Sequence, residues 1–179
     1  MLRALLIAAY FALTALPLVA QPGSIEWRTE GMRRIEGYLP LYWDNDRGRL
    51  FLELTRFETE LLYQVSLATG VGSSPLGLDR GRLGATRVVR FQRVGPRVLM
   101  IEPNYRYRAI TTDAAERRSV TDSFAQSVTW GFEVEATSGP RVLVDATEFF
   151  LRDANDVADW LRHHNQGRFS LMPTRSAIN

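Results

Sequence analysis

Two adjacent histidines, His163 and His164, are the only imidazoles in the chain, so most enzyme chemistry here would have to run through them. Neighbours on a helix point about 100° apart. They therefore cannot grip one metal ion as an i, i+4 pair does. Their spacing fits charge and hydrogen bonding at a helix C-terminus instead. A Ser-His-Asp site would need one of them beside a poised serine, and no Gly-x-Ser-x-Gly segment is present. The chain contains neither Lys nor Cys, which removes Ser-Lys catalysis, thiolate nucleophiles and disulfides together. The run Gly70-Val71-Gly72-Ser73-Ser74-Pro75-Leu76-Gly77 has the glycines of a phosphate loop. It lacks the Gly-Lys-Ser/Thr ending, and Pro75 removes a backbone donor; it reads as a conformationally demanding loop. Asp153, Asn155, Asp156 and Asp159 offer oxygen ligands without the turn glycine or closing Glu of a calcium loop. Helix capping accounts for Asp153 and Asp156. Glu133 and Glu135 share one strand face, read as solvated, not as a glycosidase pair.

No catalytic, cofactor-binding or metal-ligating residue is therefore assigned. Aromatic side chains are what remain. Trp130 and Trp160 lie on apolar faces and read as core. Tyr42, Tyr105 and Tyr107 are left as a possible platform for a peptide or glycan.

These residues are positioned by a chain that reads as mainly β (α+β), with antiparallel hairpins forming a sheet or sandwich. Leu39, Leu41 and Trp43 alternate with Pro40, Tyr42 and Asp44. Beyond Asn45-Asp46-Arg47-Gly48, Leu50, Leu52 and Leu54 alternate with Phe51 and Glu53. Period two on both sides of an Asn/Asp/Gly cluster predicts a hairpin. Leu61, Tyr63, Val65 and Leu67 form a further strand ending at Gly70, before a glycine-rich loop over residues 70–84. Segments 88–94 and 97–102 flank Gly95-Pro96 as a second hairpin. Residues 114–125 could form a short helix. Val128, Trp130, Phe132 and Val134 then alternate strictly with Thr129, Gly131, Glu133 and Glu135, predicting one buried and one wet sheet face. Ser138-Gly139-Pro140 turns into a third hairpin over residues 141–150. One helix is predicted near residues 154–164, capped by Asp153, with Val157, Trp160 and Leu161 on one face.

The ends and the charge bound the compartment and the partners. Arg3 precedes an apolar run over residues 4–20, the pattern of a signal peptide cut after Ala20. An uncleaved anchor is the alternative, and would be the only route to a membrane. Residues 21–36 read as a polar, irregular leader, and residues 37–179 as a β-rich domain. A net charge of +2, carried by Arg scattered among Asp and Glu, argues against nucleic acid.

Four segments, taken in order, carry a resemblance. They are Leu39-Pro40-Leu41-Tyr42-Trp43-Asp44 with Gly48-Arg49-Leu50-Phe51-Leu52-Glu53; residues 66–73 with Leu78-Asp79-Arg80-Gly81; residues 98–104 with Tyr107-Arg108-Ala109; and Val144-Asp145-Ala146-Thr147 through Asp153. Over residues 37–179 the chain resembles the N-terminal domain of large bacterial exported zinc-dependent, metzincin-like metalloproteases. In that family a later domain carries the H-E-x-x-H zinc site. The resemblance implies an exported (periplasmic, cell-surface or extracellular) non-catalytic accessory domain, with the protease catalytic domain as its partner and no zinc of its own. Arg175-Ser176-Ala177-Ile178 resembles a point inside the family's N-terminal domain, so the expectation is a chain truncated before the catalytic domain. The alternative is a free-standing exported binding module for a peptide or glycan.

Overall fold

The computed structural model describes residues 23–70, 72 and 74–178. The signal segment and its cleavage point after Ala20 lie outside them. Among the described residues, eight strands form an antiparallel sheet: β1 (Arg33–Ile35), β2 (Leu41–Asp44), β3 (Arg49–Leu54), β4 (Leu61–Tyr63), β5 (Arg87–Val94), β6 (Arg97–Glu102), β7 (Ser127–Ser138) and β8 (Arg141–Asp145). Their spatial order is β1-β2-β3-β8-β7-β6-β5-β4. Two meanders, β1 to β3 and β4 to β8, thus meet where β3 pairs with β8. Four short helices accompany them: α1 (Ile25–Arg28), α2 (Ala114–Ser123), α3 (Thr147–Phe150) and α4 (Val157–His163). The fold is mainly β, as the alternating runs predict. No helix among the described residues is long and apolar enough to cross a membrane.

The predicted hairpins form for local reasons. Between β2 and β3, Asp44 Oδ1 accepts from the N–H groups of Asp46 (3.1 Å) and Arg47 (3.0 Å), closing the chain on itself. Tyr42 then faces Phe51, and Trp43 faces Leu50. The 55–60 connection carries the chain from β3 to the far edge of the sheet, and Glu58 N–H donates to Phe91 O at 2.9 Å.

Eleven buried side chains form the core on one face of the sheet, among them Leu52, Leu54, Phe91, Met100, Phe132 and Val144 of the strands and Phe149 of α3. On the other face Tyr42, Phe51, Ala136 and Leu143 form a smaller core with Ile25 of α1. At roughly 1.5–3 kcal/mol for each large side chain, the first face supplies most of the apolar stabilisation.

The second face differs from the wet face expected, because the supposed leader covers part of it. Ser24 caps α1 by accepting from Trp27 N–H, and Ile25, buried, sits on β7, its N–H donating to Ser138 Oγ at 2.9 Å. Residues 33–35 then add an edge strand to β2. Under α1, β3 is buried on both sides: Phe51 is fully buried and Glu53 is 3% exposed.

Two bulges in β7 break the strict alternation. Pairing shifts by one between Val134 and Ala136, so Glu135 is the extra residue. Ala136 is thereby carried from the first face to the second, opposite Leu143. The second shift makes Thr129 the extra residue and pairs Val128 with Ile101. Val128 consequently leaves the Trp130–Phe132 face and is exposed.

Three further boundaries move. The third hairpin ends at Asp145, not at 150, because Asp145 Oδ1 accepts from Thr147 N–H at 2.9 Å and starts α3. The strand expected up to Gly70 shortens to β4; after it the pairing slips by one residue, to the Ser66–Leu83 bridge. The last helix starts at Val157 instead of 154. Asp153 still caps it, accepting from Val157 N–H (2.9 Å) and Ala158 N–H (2.8 Å), while Asp156 takes the left-handed N-cap position.

Candidate functional site

The residues with chemical potential gather beside α4, where two cavities share a wall formed by Tyr63, Val65, Arg152, Ala154 and Asn155. Arg152 is the centre of this wall. Its Nε donates to Phe149 O (2.9 Å) and its Nη2 to the Tyr63 hydroxyl (2.8 Å). Its guanidinium lies 4.8 Å from the Phe149 ring centre and 5.2 Å from that of Trp130. Three aromatic residues thus fix a cation in place, and no carboxylate of the described residues pairs with it. Nothing in the alternating pattern of the sequence singles out Arg152.

The first cavity, of about 570 Å³, is lined on one side by residues 63–67 and on the other by α4 and residues 169–171. The second, of about 740 Å³, lies between residues 82–87 and the other side of α4, and is bordered by Asp156, Asp159, His163 and His164. The two histidines do what a helix C-terminus asks of them. His163 Nδ1 donates to Asp159 O (2.9 Å) and His164 Nδ1 to Trp160 O (2.8 Å). Among the described residues, no group of three or more His, Cys, Asp or Glu side chains is placed to hold a metal ion.

Trp160 is not core, as its spacing suggested, but a clamp on the glycine-rich loop. Its Nε1–H donates to Leu76 O at 2.8 Å, and its ring stacks on His164 at 4.3 Å with the Arg82 guanidinium at 3.9 Å. The loop folds tightly against itself and α4. A Cβ on Gly70 would stand 2.9 Å from Leu78 O, and one on Gly84 would stand 2.6 Å from Val65 Cγ2 and 3.2 Å from Asn155 Oδ1. These glycines serve close backbone approach.

The three candidate tyrosines are not brought together. Tyr42 is buried on the second sheet face and donates to Glu53 Oε2 at 2.7 Å. Burial, reinforced by that hydrogen bond, pushes its hydroxyl up to about 12. Tyr105 and Tyr107 are exposed on the 103–109 loop, and Tyr107 stacks on Phe124 at 4.1 Å, just past α2. Glu135, read as solvated, is half-buried between Arg28 (3.2 Å) and Arg49 (3.3 Å). Beside it Glu53 pairs with Arg141 (3.3 Å), Arg141 reaches Glu26, and Arg49 reaches Asp145. This ionic cluster went unread because its α1 members sit in the supposed leader. Ser24, a good N-cap residue just ahead of Ile25 and Glu26, was the available signal.

A family model described as a domain of unknown function, DUF5117, matches residues 81–179, over half of the chain. The chain belongs to the DUF5117 family. The match runs from the end of the glycine-rich loop through β5 to β8 and α2 to α4. It therefore includes Arg152, α4 and both tyrosines of the 103–109 loop, whereas Tyr63 and the 63–67 wall lie ahead of it. Comparison with curated proteins and with solved structures finds no match.

Proposed function

We propose that this DUF5117 chain is a non-catalytic accessory module of an exported zinc-dependent metalloprotease, delivered by its first 20 residues to the periplasm, cell surface or exterior. The observation that supports this most is where the resembling segments fall. The first lies on the β2–β3 hairpin and the fourth on β8 through α3 to Asp153, two regions joined by the β3–β8 pairing that closes the sheet. The second segment falls on the glycine-rich loop and the third on β6 and the loop after it, so the resemblance takes in the join of the two meanders together with two of the loops around it. In this reading zinc belongs to a separate catalytic domain, and this chain supports that domain or shapes the approach to its cleft.

The test is calorimetric titration of the purified chain against the zinc-loaded catalytic domain of such a protease, with peptidase assays on both. Saturable binding that changes the catalytic domain's turnover or thermal stability is the expected result. One tightly held zinc on this chain alone, with cleavage abolished by a chelator and restored by zinc, would overturn it. The rival reading, a free-standing peptide or glycan binder, retains Tyr105 and Tyr107, which remain exposed. Screening ligands against Tyr105→Ala and Tyr107→Ala decides whether those rings take part.

A further inference from the structure

We infer that the first cavity is a slot for an extended peptide whose terminal carboxylate rests on Arg152. The backbone supplies the first argument. β4 is the outermost strand of the sheet, and residues 64–67 prolong its edge. Leu67 N–H donates to Arg82 O (3.0 Å) and Gly84 N–H donates to Val65 O (2.8 Å), so residues 65 and 67 turn backbone groups inward to the next strand. Alternation then turns the N–H and C=O of Gln64 and Ser66 outward. Both residues line the cavity, and among the described residues those backbone groups meet no partner. Across the same cavity lies the run 169–171, whose backbone is likewise unpaired among the described residues. Two free backbone edges bordering one space offer a ladder to an incoming strand.

The charge supplies the second argument. The Arg152 guanidinium is fixed by Phe149 O and the Tyr63 hydroxyl, with N–H groups to spare and no carboxylate of the described residues paired with it. Its neighbour Asp153, also in the cavity wall, is occupied by the first two N–H groups of α4. A planar fork held in this way is suited to a carboxylate. The third argument is apolar. Phe169 and Leu171, 60% and 42% exposed, stand with Leu161 around the same space, ready to take alternate side chains of an extended peptide. This inference does not depend on the protease reading.

Fluorescence anisotropy on the full chain tests it, using a labelled hexapeptide pool with apolar residues at the last and third-last positions. The pool is made once as the free acid and once as the C-terminal amide. The acid is expected to bind at least about tenfold more tightly than the amide. Arg152→Gln should abolish the ratio between acid and amide measured on that same variant, and Arg152→Lys should keep part of the preference. Ser66→Pro removes an outward N–H at an edge position that tolerates proline, and should weaken both forms. Equal binding of acid and amide, binding of neither, or unaltered binding to Ser66→Pro would overturn the inference. Competition by dodecanoate that is undiminished in Ser66→Pro would assign the cavity to an acyl chain and overturn it as well.

Discussion

Glu26 accepts from Ser138 Oγ at 2.7 Å and also meets Arg141. The Ser138 hydroxyl first, and the Arg141 guanidinium second, hold its carboxyl at about 2 against an ordinary 4.5. A depressed acid stabilises the fold fully above its unfolded value and loses that contribution as pH falls toward its folded value. The gap in urea midpoint between the wild type and Glu26→Gln should therefore be widest at neutral pH and should close between 4.5 and about 2. Tyr42 works in the opposite direction. Its hydroxyl is raised from 10.0 to about 12, so the contribution is whole below 10 and disappears as pH rises through 12. Tyr42→Phe should remove that alkaline dependence. At neutral pH it should also cost about 1–2 kcal/mol by denaturant midpoint, because buried Glu53 keeps only Arg141. The sequence placed Tyr42 opposite Leu41 and Trp43 correctly. Parity says which residues share a face, but not whether a distant segment covers that face, and here α1 does.

At the scale of elements, α4 is held by few groups, each open to test. Asp153→Ala removes the acceptor of two N–H groups and should cost about 1 kcal/mol, measured by thermal or urea unfolding. Trp160→Ala removes the bond to Leu76 and the stack with Arg82 and His164. Amide exchange over residues 74–84 should then accelerate while β6 and β7 stay protected. The hairpins were legible because alternation and turn residues coincide at residues 44–49, 95–96 and 138–140. The bulges at Thr129 and Glu135 were not legible, since an extra residue in a strand leaves the composition of the run unchanged. Nor was the wall around Arg152, which depends on its contact with Tyr63, 89 residues away in the chain. The helix near 154–164 was found through its cap and apolar spacing, although the left-handed Asp156 delays its start.

At the scale of the whole molecule, the sheet runs across the boundary of the DUF5117 match. β8 has β7 on one side and β3 on the other, yet β3 lies ahead of residue 81. A chain cut to residues 81–179 would leave the β8 edge bare and its core without Leu52 and Leu54. It should show no cooperative thermal transition by near-ultraviolet dichroism, whereas a chain starting at residue 23 should show one. The same pairing sets a timetable for biosynthesis. Arg49 of β3 and Asp145 of β8 are partners separated by 96 residues. At about 5–20 residues per second, β3 emerges roughly 5–20 s before the strand that completes it. Throughout that interval β3, destined for burial on both sides, has β2 on one edge and nothing on the other. However early β3 is made, the sheet is therefore completed only once β8 has followed it.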